Sequence, residues 1–535
     1  MKTIKFLPLL ALAAILVSSC GSTADILATP VENIDTLPLK VSELTETEKQ
    51  KWGHLDLVRD TIPGMSVDKA YSEIIKNKKG KTVIVAVIDS GIDIDHEDLD
   101  DVIWTNTDEV PNNGKDDDNN GYVDDVHGWN FVGDGYNEQL EYVRIIASGD
   151  TSNPRFQEAK AELETERQKY LELKTNYDQF LLQLSSADET ISKHLGKKDY
   201  TKAEVNAIKT EDKGLQQSKS IIQYVYSLDA GSVSEFKQQL KDGVEQFNDR
   251  LNYYLNVNHK GRLTGDNPDD YNDRPYGDGN VKPKKKDESH GTHVAGIIAA
   301  ERKNNKGVKG VANNVKIMSI RSTPRGDEYD KDVALAIRYA VDNGAKIINA
   351  SFGKSYSPHS DWVRDAIKYA SDKDVLFVHA AGNDSNNIDV KPNFPDDNVN
   401  GVEISNTYIR VGALAPKYGT NMVANFSNYG KQNVDVFAPG GEIYSTMPEN
   451  EYEFQGGTSM AAPAVAGVAA LIRSYYPSLS AAQVKKILMD SGLEVKTKVI
   501  VGGDTSNIKP FSELTRSGKM VNAYNALVMA QKLSK

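Results

Sequence analysis

Three side chains of the types that nucleophilic catalysis requires lie in short segments far apart in the chain. Asp89 directly follows the apolar run 82–88, His290 begins a segment rich in small residues, and Ser459 follows two glycines. A serine hydroxyl is a weak nucleophile at neutral pH, so it needs a base within hydrogen-bond reach. A histidine can take the hydroxyl proton and later deliver it to the leaving group, while an aspartate holds the imidazole in the required tautomer. Because side chains at strand and helix ends can meet at one edge of a sheet, this set predicts a nucleophilic catalytic centre.

The segments that carry these side chains resemble those of a known family. Residues 87–91, 289–296 and 456–463 are similar to the signature segments of the subtilisin-like serine peptidases, in the chain order Asp, His, Ser. With further matching segments, the resemblance covers about 80–155 and 280–525. It implies a serine endopeptidase that hydrolyses the peptide bonds of proteins through an acyl-enzyme intermediate.

The resemblance also implies a role for each catalytic side chain. Ser459 is the expected nucleophile, His290 the expected base and Asp89 the residue that orients the base. His293 lies one helical turn from His290 and could compete for the role of base. The family pattern selects His290 and leaves His293 as a packed side chain of the same helix.

Further matching residues imply an oxyanion site and a substrate-binding strand. Asn383 matches the family asparagine whose side-chain amide, with the backbone amide of Ser459, stabilises the oxyanion. Ser351, Phe352 and Gly353 match the strand that pairs with the substrate backbone by strand addition. Phe352 is then expected to line the pocket for the residue that precedes the scissile bond.

Apolar runs that alternate with helical patterns predict the elements that position these residues. Runs rich in β-branched residues are typical of strands buried in a parallel sheet, and helical patterns between them indicate an α/β fold. The expected architecture is a subtilisin-like parallel β-sheet flanked by helices on both faces. The runs lie at 82–88, 315–320, 345–349, 375–379 and 408–411, and helical patterns cover 332–343 and 360–371.

One region interrupts this alternation. Between 153 and 257 the strand patterns stop and apolar residues recur at heptad-like spacing, which predicts two long helices and one or more short ones. Capping boxes are predicted at Thr201 with Glu204 and at Ser232 with Glu235. This helical insertion could chaperone or gate the catalytic part, or serve as a docking surface or a solvated appendage. The expected division is a signal peptide at 1–20, a tether at 21–50, a first peptidase part at 51–152, the insertion at 153–257 and a second peptidase part at 258–535.

An acidic loop is the candidate metal site. Oxygen ligands that alternate around Gly121 are what Ca²⁺ prefers, although position 127 is His where the EF-hand pattern requires Glu. A solvated acidic loop is the alternative. Separately, Asp98 matches a family calcium ligand, but its partner loop 304–308 is shortened and basic. The expected cofactor is therefore structural calcium, with no catalytic cofactor, and the predicted ligands are Asp116, Asp118, Asn120 and Asp124.

The first twenty residues predict export. Two lysines precede the apolar stretch 6–17, which is too short to span a bilayer, and a small-residue site ends at Cys20. This pattern resembles the bacterial lipobox, whose cysteine is lipidated. We therefore expect a protein exported from a bacterial cell and anchored to the membrane through Cys20, on the periplasmic or cell-surface face. An ordinary signal peptide that contains a cysteine is the alternative.

Composition narrows the possible partners. The formal net charge is −13, so no basic field favours nucleic acid, and protein or peptide substrates are the expected partners. Two other functions are weighed against the peptidase. A silent scaffold that binds partners through the insertion would have no need for the four matching catalytic residues together. An esterase would share the nucleophile, but position 461 is Ala where the Gly-x-Ser-x-Gly elbow requires glycine.

Overall fold

The computed structural model describes residue 40, residues 42–228 and residues 230–535. The predicted signal peptide with Cys20 lies outside the described residues, as does most of the predicted tether. The last part of that tether, from Glu46 onward, is a helix, and a capping box formed by Thr45 and Glu48 begins it. The division of the chain into five segments stays a prediction.

A nine-stranded sheet forms the centre of the molecule, and all its pairs are parallel except β12 with β15. Its strand order is β12-β15-β9-β8-β5-β4-β1-β3-β2, and three two-stranded ribbons lie outside it. The strands are β1 (Val83–Asp89), β2 (Gly128–Asn130), β3 (Val315–Arg321), β4 (Ile347–Ala350), β5 (Leu376–Ala380), β6 (Asn398–Val399), β7 (Val402–Glu403), β8 (Tyr408–Leu414), β9 (Val436–Pro439), β10 (Ile443–Met447), β11 (Glu451–Gln455), β12 (Leu493–Glu494), β13 (Lys498–Val501), β14 (Asp504–Pro510) and β15 (Lys519–Met520).

Some helices cover the two faces of this sheet, and others belong to the insertion. They are α1 (Glu46–Lys51), α2 (Leu57–Asp60), α3 (Val67–Ala70), α4 (Glu141–Ala147), α5 (Phe156–Leu195), α6 (Lys202–Ala207), α7 (Lys213–Ser227), α8 (Val233–Asp249), α9 (His290–Ala299), α10 (Asp330–Asp342), α11 (Ser360–Asp372), α12 (Thr458–Tyr475), α13 (Ala481–Asp490) and α14 (Ala523–Leu533). No helix within the described ranges combines the length and the apolar composition that a membrane span requires.

The pleat of β1 shows how the two hydrophobic cores arise. Val85 and Val87 belong to the cluster beneath α9, α12, α13 and α14, whereas Ala86 and Ile88 belong to the cluster beneath α10 and α11. Successive side chains of a strand point to opposite faces, so a strand with helices on both sides must be apolar throughout. The predicted α/β fold, with a largely parallel sheet and helices on both faces, is confirmed.

The helices α5 to α8 form a layer of their own. Helix α5 has 40 residues and is about 60 Å long at 1.5 Å per residue, and it packs against α7 and α8. The capping box at Thr201 is present, whereas Ser232 accepts a hydrogen bond from the backbone amide of Glu235 without the reciprocal bond. Among its described residues the region contains the 40-residue α5, the shorter α7 and α8 of 15 and 17 residues, and the six-residue α6, where two long helices and one or more short ones were predicted.

The base of α5 contacts the segment that follows the predicted substrate strand. Arg155 Nη1 donates a hydrogen bond to the backbone oxygen of Ser355 at 2.6 Å, and its guanidinium lies 3.6 Å from the ring centroid of Tyr356. The Tyr356 hydroxyl donates to Glu162 Oε2 at 2.7 Å. Lys354 is buried, with its Nζ 2.7 Å from a carboxylate oxygen of Glu141 in α4. Three consecutive residues beside the candidate site are therefore held by α4 and α5.

Candidate active site

Asp89 and His290 form a hydrogen-bonded pair at the carboxyl edge of the sheet. Asp89 is the last residue of β1 and is 2% exposed, and His290 is the first residue of α9. Nδ1 of His290 lies 2.7 Å from Asp89 Oδ1, which also accepts a hydrogen bond from the Ser90 amide. Desolvation by itself would lower the pKa of His290, but the charge and the hydrogen bond of Asp89 outweigh it and raise the pKa above its usual 6.5. The pair can therefore hold the imidazole with Nε2 free to accept a proton.

Ser459 lies at the amino end of α12 and faces the predicted substrate strand. Its hydroxyl donates to the backbone oxygen of Ser351 at 3.0 Å, and the Ser351 hydroxyl donates to the backbone oxygen of Ser459 at 2.8 Å. No hydrogen bond joins Ser459 to His290 among the residues that the structure describes. Catalytic hydrogen bonds are often long in free enzymes and tighten only when substrate binds.

Asn383 and the Ser459 amide aim at the same region of space. Asn383 Oδ1 accepts hydrogen bonds from the backbone amide and the hydroxyl of Thr458, each at 2.9 Å, and this fixes the direction of Nδ2. A β-carbon built on Gly457 would lie 3.4 Å from Asn383 Nδ2 and 3.5 Å from the Ser459 nitrogen. Two donors therefore border the space beside Gly457, where an oxyanion could accept from both.

The predicted substrate strand continues β4 beyond the sheet and is held from behind. The side-chain amide of Asn349 donates to the Ser351 hydroxyl at 2.9 Å, and His379 Nε2 lies 2.8 Å from the backbone oxygen of Phe352. Burial, assisted by the charge of Arg410, lowers the pKa of His379 well below 6.5, so this histidine stays neutral. The sequence analysis did not single out His379 as a support of the substrate strand. Its position at the end of the apolar run 375–379 could have indicated it.

The second histidine of α9 has a different environment from His290. His293 is fully buried, and its Nε2 lies 3.1 Å and 3.2 Å from the backbone oxygens of Ile443 and Glu453 in the β10–β11 ribbon. Burial, assisted by the charge of His290, lowers the pKa of His293 to about 4. The structure therefore places His293 as a neutral packing residue that ties the ribbon to α9.

The four residues predicted to bind calcium all accept hydrogen bonds from backbone amides of their own loop. The Asp116 carboxylate accepts from the backbone amides of Asn120 and Gly121, at 3.0 and 2.8 Å. The Asp124 carboxylate accepts from the amides of Asn113 and Gly114, at 3.0 and 2.9 Å. Asp118 Oδ1 and Asn120 Oδ1 accept from the amides of Asn120 and Tyr122 in the same way, at 3.0 and 2.8 Å. All four side chains therefore close turns of the loop, and their role as calcium ligands stays a prediction.

A different acidic group forms within the same loop. Carboxylate oxygens of Glu109, Asp118 and Asp125 lie within 4.8 Å of one another. Glu109 and Asp125 are buried, and Glu109 Oε2 has no hydrogen-bond partner in the described part of the chain. The side-chain amides of Asn106 and Asn120 donate to Asp118 and Asp125. Two of the predicted ligands, Asp118 and Asn120, belong to this group, and Glu109 and Asp125 were not among the predicted residues.

Asp98, the separate calcium candidate, has protein partners. Its carboxylate accepts from the side-chain amide of Asn304 at 2.6 Å and from the backbone amide of Val308 at 2.9 Å. The shortened loop 304–308 therefore supplies both donors itself.

Comparison with known proteins identifies the class. The Subtilase family model matches residues 80–143 and 167–512, so the chain belongs to the subtilase family. Among its relatives, the chain is 42% identical over 187 residues to the thermophilic serine proteinase of Bacillus sp. (strain AK1), a match that covers 35% of this chain and 43% of that protein. It is 39% identical over 192 residues to thermitase of Thermoactinomyces vulgaris, covering 36% of this chain and 63% of that protein.

The chain is also similar to a third relative and to a protein of solved structure. The chain is 37% identical over 220 residues to the cell wall-associated protease of Bacillus subtilis (strain 168), covering 41% of this chain and 23% of that protein. A solved protease from Pseudoalteromonas arctica PAMC 21717 is 32% identical with a TM-score of 0.36, covering 45% of this chain and 70% of that one. The chain thus spans less than half the length of two of the three relatives. The family and the protease relatives support a serine peptidase activity.

Proposed function

We propose that this protein is a serine endopeptidase that cleaves protein substrates through an acyl-enzyme intermediate. One observation carries the proposal: the Asp89–His290 pair, the Ser459 hydroxyl and the Asn383 amide all lie at the carboxyl edge of one sheet. An acid–base pair, a nucleophile and oxyanion donors are the groups that peptide hydrolysis by serine requires.

The reaction begins when an extended substrate adds to the strand 351–353. Backbone amides of the substrate donate hydrogen bonds to the carbonyl oxygens of this strand. One of these acceptors is the Ser351 oxygen, which accepts from the Ser459 hydroxyl in the free protein. The released Ser459 hydroxyl turns to His290, whose Nε2 takes its proton as Oγ attacks the scissile carbonyl carbon. Asp89 stabilises the imidazolium that forms, because its carboxylate accepts from Nδ1.

The reaction then proceeds through a tetrahedral intermediate to an acyl-enzyme, which water hydrolyses through a second one. The oxyanion of the tetrahedral intermediate accepts hydrogen bonds from Asn383 Nδ2 and the Ser459 amide, the two donors that border Gly457. The carbon–nitrogen bond breaks as His290 gives its proton to the leaving amine, which leaves an ester on Ser459. A water molecule attacks this ester while His290 takes a water proton, and the same proton returns to Oγ as the acid product departs.

The acidic group at Glu109, Asp118 and Asp125 fits a structural calcium ion. Burial raises the pKa of Asp125, with hydrogen bonds from Tyr339 and Asn120 acting against it, and Glu109 contributes a buried oxygen without a partner. Three clustered carboxylates repel one another, and a hard divalent cation would bind them through oxygen and remove the repulsion. The expected role is to stabilise the loop that precedes β2.

We also propose export and lipidation at Cys20. Support comes from the sequence: the lipobox-like segment ends at the single cysteine of the chain. Cys20→Ser should abolish incorporation of a labelled fatty acid and release the protein from the membrane fraction of a bacterial host. Unchanged incorporation in Cys20→Ser would contradict the proposal.

The experiment for the peptidase proposal is digestion of casein by the purified protein, compared with Ser459→Ala. Mass spectrometry of the products should show internal cleavages with the unmutated protein only. A folded protein that leaves casein intact with and without Ca²⁺ would contradict the proposal and favour a binding or scaffold role.

A further inference from the structure

Asn393, which lies between β5 and β6, enters the space between the two walls of the candidate cleft. One wall is the substrate strand at Gly353, and the other is the turn at Gly382 that carries the oxyanion residue. A β-carbon built on Gly353 would lie 3.5 Å from both Nδ2 and Oδ1 of Asn393, and one built on Gly382 would lie 3.2 Å from Nδ2. The carboxamide of Asn393 is therefore in van der Waals reach of both walls.

The segment around Asn393 is held rigidly. Phe394 and Lys354 exchange two backbone hydrogen bonds, at 2.8 and 3.0 Å, which join this segment to the end of the substrate strand. The buried guanidinium of Arg410 donates to the backbone oxygens of Asn393 and Pro395, at 3.2 and 2.6 Å. The position of Asn393 relative to the cleft is thus set by contacts on two sides.

The Oδ1 atom of Asn393 has no hydrogen-bond partner to explain its place. Asn393 is 9% exposed, and its buried Oδ1 accepts no hydrogen bond within the described residues. Buried polar side chains are almost always hydrogen-bonded, and an unpaired one costs free energy. An amide oxygen left unpaired between the walls of a substrate cleft is suited to pair with the substrate.

We propose that Asn393 selects the residue that precedes the scissile bond, in favour of a neutral side chain that can hydrogen-bond to the carboxamide: Gln, Asn, Thr or Ser. This inference rests on the proposed function. When the substrate backbone pairs with 351–353 and its carbonyl lies beside Asn383, that side chain enters between the two walls. An aliphatic side chain would bury the amide further and leave it unpaired, and such an arrangement discriminates against analogues without the polar group.

Charge is not the basis of this selection. The two cations that hold the segment around Asn393 are already satisfied: Lys354 pairs with Glu141 and Asp330, and Arg410 donates to backbone oxygens and to the Tyr408 hydroxyl. A carboxamide offers one donor group and one acceptor without net charge. The expected preference is therefore for neutral polar residues over both aliphatic and charged ones.

Matched peptides test the inference. Two pairs of internally quenched peptides differ only before the scissile bond, Thr against Val and Gln against Met, so that shape is nearly constant while the polar group changes. The expected kcat/KM ratio is about tenfold in favour of the polar member, the value of one net hydrogen bond. Asn393→Leu should remove or reverse both ratios, and Asn393→Gly should admit Phe. Asn272→Leu, a change at an exposed asparagine, should keep the original ratios.

The outcomes distinguish a failure of the role of Asn393 from a failure of the proposed peptidase function. Cleavage with equal rates for Thr and Val and for Gln and Met overturns the role of Asn393 and leaves the peptidase proposal standing. Unchanged ratios in a folded Asn393→Leu variant have the same meaning. Absence of cleavage of any peptide, together with absence of labelling by an active-serine probe, overturns the proposed function and this inference with it. Equal rates in the unmutated protein overturn the role of Asn393 even where Asn393→Leu fails to fold, and Asn393→Gly then serves as the second variant if the rates differ.

Discussion

A methyl group added at Gly457 should remove transition-state stabilisation without disturbing the fold. The built β-carbon meets no atom closer than 3.4 Å, and the residue has φ 168° and ψ 161°, an extended conformation that alanine adopts. The same β-carbon lies 3.4 Å from Asn383 Nδ2 and 3.5 Å from the Ser459 nitrogen. An oxyanion needs to approach both donors to about 2.7–3.1 Å, so the methyl group occupies the space that the oxyanion would take.

The magnitude follows from the hydrogen bonds that are lost. Loss of one oxyanion donor in subtilisin, a member of the same family, costs about 2.7–4 kcal/mol, or roughly 10²- to 10³-fold in kcat. Gly457→Ala should therefore lower kcat at least 10²-fold with little change in KM. Asn383→Ala added to Gly457→Ala should cost little more, since the two changes remove the same interaction.

The adjacent glycine provides the matched control. A β-carbon built on Gly456 meets nothing closer than 3.7 Å, and none of its nearest atoms belongs to an oxyanion donor. Steady-state kinetics on one peptide, with thermal unfolding of each variant, makes the comparison. If Gly457→Ala keeps kcat within twofold of the unmutated protein, or if Gly456→Ala is equally impaired, the assignment of the oxyanion site is wrong.

Three further predictions follow from other parts of the structure. Because Asp89 raises the pKa of His290, kcat/KM should fall as the pH drops through a value above 6.5. Asp89→Asn should move this inflection to lower pH and lower kcat about 10⁴-fold. An inflection that stays at the same pH in Asp89→Asn would exclude His290 as the titrating base. A calcium chelator should lower the thermal unfolding midpoint of the protein by about 5 °C, and the midpoint of Asp118→Asn should no longer depend on calcium. Equal unfolding midpoints with and without Ca²⁺ in the unmutated protein would exclude the calcium site. Tyr356→Phe, which removes only the hydrogen bond to Glu162, should raise KM a few-fold at unchanged kcat. Replacement of residues 153–257 by a short linker should raise KM further. Normal folding with unchanged kinetics in both variants would refute any role of the insertion in positioning the substrate strand.

The sequence could predict the sheet and the catalytic segments because their signals are local. The apolar run 82–88 requires burial on both sides, and Asp89 must then lie where the strand ends. The helices of the insertion were also predicted, because strand patterns there give way to heptad-like spacing, but the exact division into helices was not. Apolar residues of α7 are spaced as in any amphipathic helix, and only their packing against α5 shows that they form a separate element.

Contacts between distant segments could not be predicted in the same way. Spacing within the loop could not show that Asp118 lies beside Glu109 and Asp125, whereas the turn-closing role that Asp118 shares with Asp116 and Asp124 is local. In irregular loops the direction of a side chain depends on tertiary contacts rather than on a period. The contacts of Thr458, His379 and Asn393 likewise involve segments that only the fold brings together.

The most direct test of the central claim is labelling of the purified protein by a fluorophosphonate probe, with the modified residue mapped by tandem mass spectrometry. Such probes react with a serine that a neighbouring base activates. We predict one adduct, on Ser459, that is lost in Ser459→Ala and strongly reduced in His290→Ala. Absence of labelling in the folded protein, or an adduct on another serine, would contradict the account.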